Sequence, residues 1–222
     1  MKVAILFDMD GTVLNTIEDL ADSVNASLAH YGYPQRTLDE VRRFVGNGVR
    51  RLMQQAVPET ATDMQMEEVL QYYQSYYETH CQIKTRPYDG VVAVLEQLRQ
   101  RYAVAIVSNK PDGAVKILAE QHFPGVYALG ESPACPRKPA PDMVFQAMKA
   151  LGADACVYVG DSEVDVLTAK NASVPCLSVT WGFRDREVLE AAGADWFCHD
   201  PGELPEAIAL IIETEDFKKN GQ

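Results

Sequence analysis

Apolar and polar positions follow three successive rhythms along the chain. The first is a short unbroken apolar run, Val3-Ala4-Ile5-Leu6-Phe7, which suits a strand buried on both faces. It stops abruptly at Asp8-Met9-Asp10-Gly11-Thr12. The second rhythm is helical. Ile17, Leu20, Ala21, Val24 and Leu28 predict a helix over 16–30, with Gly32 as its stop. Thr37-Leu38-Asp39-Glu40 has the capping-box pattern, so another helix starts near 38. Gly46-Asn47-Gly48 interrupts it, and a helix carrying Val49, Leu52, Met53 and Ala56 runs to Pro58. Val69, Leu70, Tyr72, Tyr73, Tyr76 and Tyr77 form a stripe that reads first as the core seam of a helix pair, with substrate contact as the lesser reading. The stretch 15–83 carries no strand signal.

From Pro87 the rhythm alternates. A helix over 90–100 precedes the strand Ala103–Val107, which ends in Ser108-Asn109-Lys110; Pro111 then opens a helix. A long loop holds Arg137-Lys138-Pro139-Ala140-Pro141-Asp142 before a helix to about 150. The strand 156–159 leads into Gly160-Asp161-Ser162-Glu163-Val164-Asp165 and a helix. Strands at 176–180 and 196–198 and helices at 185–192 and 203–212 complete the pattern, and the tail 218–222 reads as frayed. Strands alternating with helices predict an α/β fold: a doubly wound, Rossmann-like parallel sheet made of 1–14 and 85–222, with an all-helical cap, 15–84, inserted into it.

Composition narrows the function. The 222 residues are 47% hydrophobic, enough for a real core, and the formal net charge of −12 with no basic stripe argues against nucleic acid. A phosphate ester can still bind such a chain where local cations overrule the global field. Five scattered cysteines without a C-x-x-C suggest neither disulfides nor zinc, and the four histidines share no ligand spacing. No signal peptide and no membrane span are evident, so the expectation is a cytoplasmic protein that is not membrane-bound. Monomer and homodimer both remain open.

The chemistry gathers at strand ends. Asp-Gly is by itself a common turn. Two carboxylates directly after a buried strand, however, need a nearby cation, and a divalent metal fits oxygen ligands. In a parallel sheet, Asp8/Asp10, Ser108/Asn109 and Asp161/Asp165 all emerge at one edge, where ligands bind, and Lys138 lies in a loop able to join them. Carboxylates, a hydroxyl and ammonium groups are the inventory for metal-assisted phosphoryl transfer.

These motifs, in this order, resemble those of the haloacid dehalogenase superfamily phosphatases with a helical cap, most closely the phosphoglycolate phosphatase-like branch. Asp8-Met9-Asp10-Gly11-Thr12, Ser108, Lys138 and Gly160–Asp165 match the family's four motifs, and the resemblance spans essentially the whole chain. Gly46-Asn47-Gly48 and Thr180-Trp181-Gly182-Phe183 also resemble that branch. The resemblance implies that Asp8 is the nucleophile and Asp10 the acid–base. Mg²⁺ would be held by Asp8, the Asp10 carbonyl and Asp161. Thr12, Ser108, Asn109 and Lys138 would bind phosphate, and Asp165 would stand behind them or ligate directly. In the cap, Gly46, Asn47, Gly48 and Arg50 are the candidates for substrate selection. Asp10 separates phosphate hydrolysis from the dehalogenases and carbon–phosphorus hydrolases, which lack this acid, and no Lys occurs within 15–83 to form a Schiff base.

Three stretches depart from the branch: Asn15-Thr16, Tyr88-Asp89-Gly90 and Asn171-Ala172-Ser173. None removes a catalytic group. The expected activity is Mg²⁺-dependent hydrolysis of a small phosphorylated metabolite, phosphoglycolate-like, through an aspartyl-phosphate. The alternatives are a β-phosphoglucomutase-like sugar-phosphate mutase, a pyrophosphatase, and a non-enzymatic regulatory protein that binds a phosphate ligand.

Overall fold

The computed structural model describes residues 1–133, 135–214 and 217; the 218–222 tail lies outside the described residues. Its centre is β1 (Val3–Phe7), which pairs in parallel with β4 (Ala103–Pro111) on one side and β6 (Ala155–Gly160) on the other. With β5 (Tyr127–Glu131), β7 (Cys176–Val179) and β8 (Trp196–Cys198) the sheet has six parallel strands in the order β5-β4-β1-β6-β7-β8. β1 is apolar throughout because both its faces are covered. Ile5 and Phe7 pack into a layer with α5 (Val91–Arg99), α6 (Asp112–His122) and α10 (Leu204–Glu213). Ala4 and Leu6 pack against α7 (Asp142–Leu151), α8 (Glu163–Asn171) and α9 (Arg186–Ala191).

Between β2 (Leu14–Asn15) and β3 (Arg86–Pro87), which pair as a small antiparallel ribbon, the chain runs through four helices: α1 (Ile17–His30), α2 (Leu38–Phe44), α3 (Val49–Ala56) and α4 (Asp63–His80). Their apolar stripes close a separate core around Val24, Leu28, Val41, Met53 and Tyr73, joined from the sheet side by Ala114 and Phe183. The expected cap forms: Thr37 accepts from Glu40 N–H; α4 begins with an equivalent box, from Thr62 and Gln65, that the sequence reading did not name. At the entry to α1 the Thr16 hydroxyl makes no cap bond.

The structure differs from the sequence reading at the β2–β3 ribbon, whose two-residue strands are too short to leave a pattern, at β5 and at Pro111. β5 was not foreseen, because Tyr127-Ala128-Leu129-Gly130-Glu131 is short and half polar, as befits an edge strand. Gly130 lets it lie against the start of α6: a Cβ there would be 2.5 Å from the Asp112 Cα. Pro111 does not open α6 but ends β4, paired with Glu131, and the helix starts one residue later.

The ends of the helical insert are tied together by Asp19. Buried in the first turn of α1, its carboxylate accepts the backbone N–H groups of Lys84 and Thr85 at 2.8–3.0 Å, where the chain returns to β3. Asp19→Ala leaves those donors unpaired and is predicted to lower stability by about 2–4 kcal/mol, measured by urea denaturation.

Candidate functional site

The carboxyl ends of β1, β4 and β6 build the site. Asp8 continues β1, its N–H bonded to the Val159 carbonyl at 2.8 Å. The chain then folds back on Met9, whose carbonyl accepts from Val13 and Leu14. Gly11 makes this turn at φ +84°, and a Cβ there would stand 2.3 Å from Asp161 Oδ2. Asp161 is enclosed from the other side as well: Gly182 leaves no room for a Cβ, Phe183 N–H donates to Oδ2 at 2.7 Å, and Thr12 Oγ1 donates to Oδ1 at 3.0 Å. The Trp181 indole N–H holds the Thr12 carbonyl. The Thr180–Phe183 stretch is thus a cradle for Asp161.

Asp165 caps α8. Its Oδ2 accepts from the Ser162 N–H and hydroxyl, and its Oδ1 accepts from Lys138 Nζ at 2.8 Å. The same ammonium lies 2.8 Å from Asp8 Oδ1 and 3.1 Å from the Tyr158 hydroxyl. Lys138 is positioned by Asn109, whose side-chain amide accepts from the Lys138 N–H and donates to the Lys138 carbonyl.

β4 is irregular where it matters. Val107 pairs with Leu129 and Pro111 with Glu131, so two extra residues are accommodated in β4. A regular strand would send Ser108, Asn109 and Lys110 to alternating faces; at this bulge all three line one cavity. Lys110 Nζ reaches Asp10 Oδ1 at 2.7 Å.

The cavity, about 50 Å³, lies between these strand ends and the helical insert. Val45, Gly46, Gly48, Leu52, Tyr73 and Tyr77 form its far wall. A reciprocal arginine clasp closes it. Arg42 of α2 donates to the Gly182 and Phe183 carbonyls, while Arg184 donates to the Arg42 and Val45 carbonyls and pairs with Glu163. Asn109 adds a bond to the Gly46 carbonyl.

Electrostatics at this point are unbalanced. Asp8, Asp161 and Asp165 are buried, with one oxygen from each lying within 4.8 Å of the others. Burial first, and then the charges of Asp165 and Asp161, hold the Asp8 carboxyl well above the usual carboxylate range, against the pull of Lys138. Burial and Asp165 push Asp161 up to about 7, although the Phe183 and Thr12 bonds oppose this. Burial disfavours the Lys138 ammonium, but Asp165 and Asp8 outweigh it, so Lys138 stays charged. Four carboxylates, Asp10 included, face two ammonium groups, which leaves two negative charges over. A hard divalent cation would supply that charge, and an all-oxygen donor set suits it.

The family model for haloacid dehalogenase-like hydrolases matches residues 5–179. The chain belongs to the haloacid dehalogenase-like hydrolases. It is similar to the phosphoglycolate phosphatases of Mesorhizobium japonicum (34% identical, 84% of this chain and 86% of the relative) and of Vibrio parahaemolyticus (31%, 93% and 96%). A crystal structure from Lactobacillus delbrueckii subsp. bulgaricus superposes with a TM-score of 0.87 at 37% identity, over 93% of this chain and 98% of that one. The six-stranded sheet with its helical insert is the fold that the sequence resemblance implied.

In this hydrolase the structure brings Asp8, Asp10, Ser108, Asn109, Lys138 and Asp161 onto one cavity, with Asp165 directly behind Lys138. Other sequence candidates are placed differently. Thr12 turns its hydroxyl onto Asp161 rather than into the cavity. Gly46 and Gly48 line the far wall, but Asn47 does not. Arg50 is exposed and pairs with Glu67 of α4, away from the cavity. Sequence reasoning missed the inward turn of Lys110 and the clasp of Arg42 with Arg184. Lys110 follows Ser108-Asn109 directly, and only the bulge reveals that it turns inward. Tyr73 and Tyr77 pack in the insert's core, the first reading of their stripe, and also line the cavity. No helix among the described residues is long and apolar enough to cross a membrane.

The raised carboxyls give a pH signature. Between the ordinary Asp value of 3.8 and about 7, folded Asp161 retains a proton that the unfolded chain has lost. Stability without metal therefore falls as pH rises through that window. The melting temperature in EDTA is predicted to drop by at least about 4 °C from pH 5 to pH 8. Mg²⁺ should restore it more at pH 8 than at pH 5; differential scanning calorimetry reads both effects.

Proposed function

We propose that this hydrolase is a Mg²⁺-dependent phosphatase that acts on small phosphate monoesters of the phosphoglycolate type through an aspartyl-phosphate on Asp8. The observation that carries this reading is the pairing of two acids with two ammonium groups in one small cavity: Lys138 on Asp8 and Lys110 on Asp10. Asp8 is free to act as a nucleophile once Lys138 neutralises the approaching phosphoryl oxygens. Asp10 carries the carboxyl needed to protonate an alkoxide leaving group.

In the first half-reaction an Asp8 oxygen bonds to phosphorus, the ester P–O bond breaks, and Asp10 passes its proton to the departing alcohol oxygen. In the second, the Asp10 carboxylate takes a proton from water as the water oxygen bonds to phosphorus. The bond from phosphorus to Asp8 breaks, and inorganic phosphate leaves. Ser108, which lines the cavity, donates its hydroxyl to a phosphoryl oxygen; Lys138 faces another. Asp8, Asp161 and the Asp10 carbonyl would hold Mg²⁺, which when bound supplies positive charge to the phosphoryl oxygens. Asp165 holds Lys138 through one oxygen and is itself held by Ser162 through the other, and we assign it to positioning Lys138.

The wall from the helical insert selects the alcohol. Gly46 and Gly48 present backbone there, and Tyr73 and Tyr77 add phenols that burial keeps neutral and that have no hydrogen-bond partner among the described residues. A short leaving group with a polar end fits that wall, and the small cavity disfavours a bulky one. The relatives named above act on phosphoglycolate by their names, which agrees with this size.

Phosphate release from phosphoglycolate, pyrophosphate and β-glucose 1-phosphate tests the reading. Mg²⁺-dependent release, fastest with phosphoglycolate, is expected; release from none of them contradicts it. Asp8→Asn is predicted to abolish turnover. Because it removes a like charge, its unfolding midpoint in metal-free buffer at pH 8 should be no lower than that of the wild type.

A further inference from the structure

Of the two buried lysines, Lys138 serves the nucleophile, and the reaction as drawn gives Lys110 no part. Its environment is specific. The Lys110 Nζ bonds Asp10 Oδ1 at 2.7 Å, and its side chain is only 2% exposed. Among the described residues it is the sole hydrogen-bond donor to the Asp10 carboxylate. The other acids are held several times over: Asp8 by Met9 N–H and Lys138, Asp161 by Thr12 and Phe183, Asp165 by Ser162 and Lys138. The direction of the Asp10 side chain is therefore set by one ammonium.

That ammonium is itself held from the other side of the cavity. It stands over the ring of Tyr77, 4.8 Å from the centroid. Tyr77 lies on α4 and stacks on Tyr73 with centroids 5.4 Å apart and planes 7° from parallel, in the packed core of the helical insert. A lysine with four rotatable bonds is poorly fixed by one ion pair; an aromatic face fixes it better, and a desolvated cation–π contact is among the stronger ones. The chain of contact runs from the insert (Tyr77) through β4 (Lys110) to the loop after β1 (Asp10).

We propose that Lys110 is a positioning residue for Asp10, and that Tyr77 positions Lys110 only while the helical insert is docked. Docking of α4 and alignment of the acid–base are then one event. The leaving group is protonated only in a cavity already closed to bulk water, with Asp10 Oδ1 on Lys110 and Oδ2 left for the substrate. The inference rests on the reading of Asp10 as the proton donor.

The test uses leaving groups. Protonation by Asp10 matters for an alkyl phosphate and little for p-nitrophenyl phosphate, whose leaving anion is stable in water. The readout is kcat/KM, which reports the first phosphoryl transfer. Lys110→Met is expected to lower kcat/KM by about 30-fold or more with phosphoglycolate and by less than about 5-fold with p-nitrophenyl phosphate. Tyr77→Leu is expected to lower it by about 5–10-fold, again selectively for the alkyl ester. Tyr77→Phe, which keeps the ring, should recover most of that loss. The double variant Lys110→Met/Tyr77→Leu should be no worse than Lys110→Met alone. Equal losses with both esters, or additive losses in the double variant, overturn the inference and leave the phosphatase reading standing. Hydrolysis of neither ester by the wild type overturns both.

Discussion

The ammonium of Lys138, set between the carboxylates of Asp8 and Asp165, is the interaction on which the site depends. Without it, three buried carboxylates would face one another across less than 5 Å with no counter-charge. Breaking a buried pair by removing one partner typically costs about 3–5 kcal/mol, because a bare charge remains. Much of the surrounding structure serves this arrangement. Asn109 fixes the Lys138 backbone, Ser162 turns Asp165 toward it, and Tyr158 rises from β6 to share its bonds. Glycines at 11, 160 and 182 admit the acids where a Cβ would collide with them. Even so, one ammonium does not balance three carboxylates. The residual charge suits the site to a divalent cation.

The same strand ends also decide how the helical insert is held. Arg42 and Arg184 spend their N–H groups on carbonyls across the junction, and Asn109 reaches the Gly46 carbonyl. Asn109 therefore touches both the backbone of Lys138 and the loop that walls the cavity. The junction with the insert and the placement of charge therefore share residues. The insert's wall and the sheet's acids are far apart in sequence, but they are joined through Lys110, Asn109 and the clasp.

What could be read from the chain follows from how local each signal is. Asp8, Asp10 and Asp161 stand directly after apolar runs, and the parallel sheet brings such ends together, so spacing alone placed them. Lys138 needed the motif around it. β5 escaped because an edge strand with Gly130 has neither continuous apolarity nor clean alternation. Lys110 escaped because its inward turn depends on a bulge in pairing with that unforeseen strand. Thr12 and Arg50 were plausible by residue type, but the competing partners Asp161 and Glu67 claimed them, and those contacts are long-range. The tyrosine stripe was legible as a helix face, yet its second role depends on which side of the insert meets the sheet, and helical periodicity does not carry that information. The Arg42–Arg184 clasp joins residues about 140 positions apart and left no trace in either local pattern.

The most direct measurement of the central claim is proton release when Mg²⁺ is added to the metal-free protein in a pH-stat near pH 6.5. Carboxyls held protonated by burial and mutual repulsion must give up protons when a cation takes their oxygens. The account predicts measurable release that is clearly smaller in Asp161→Asn. Binding of Mg²⁺ with no proton release, or release unchanged in that variant, would contradict it.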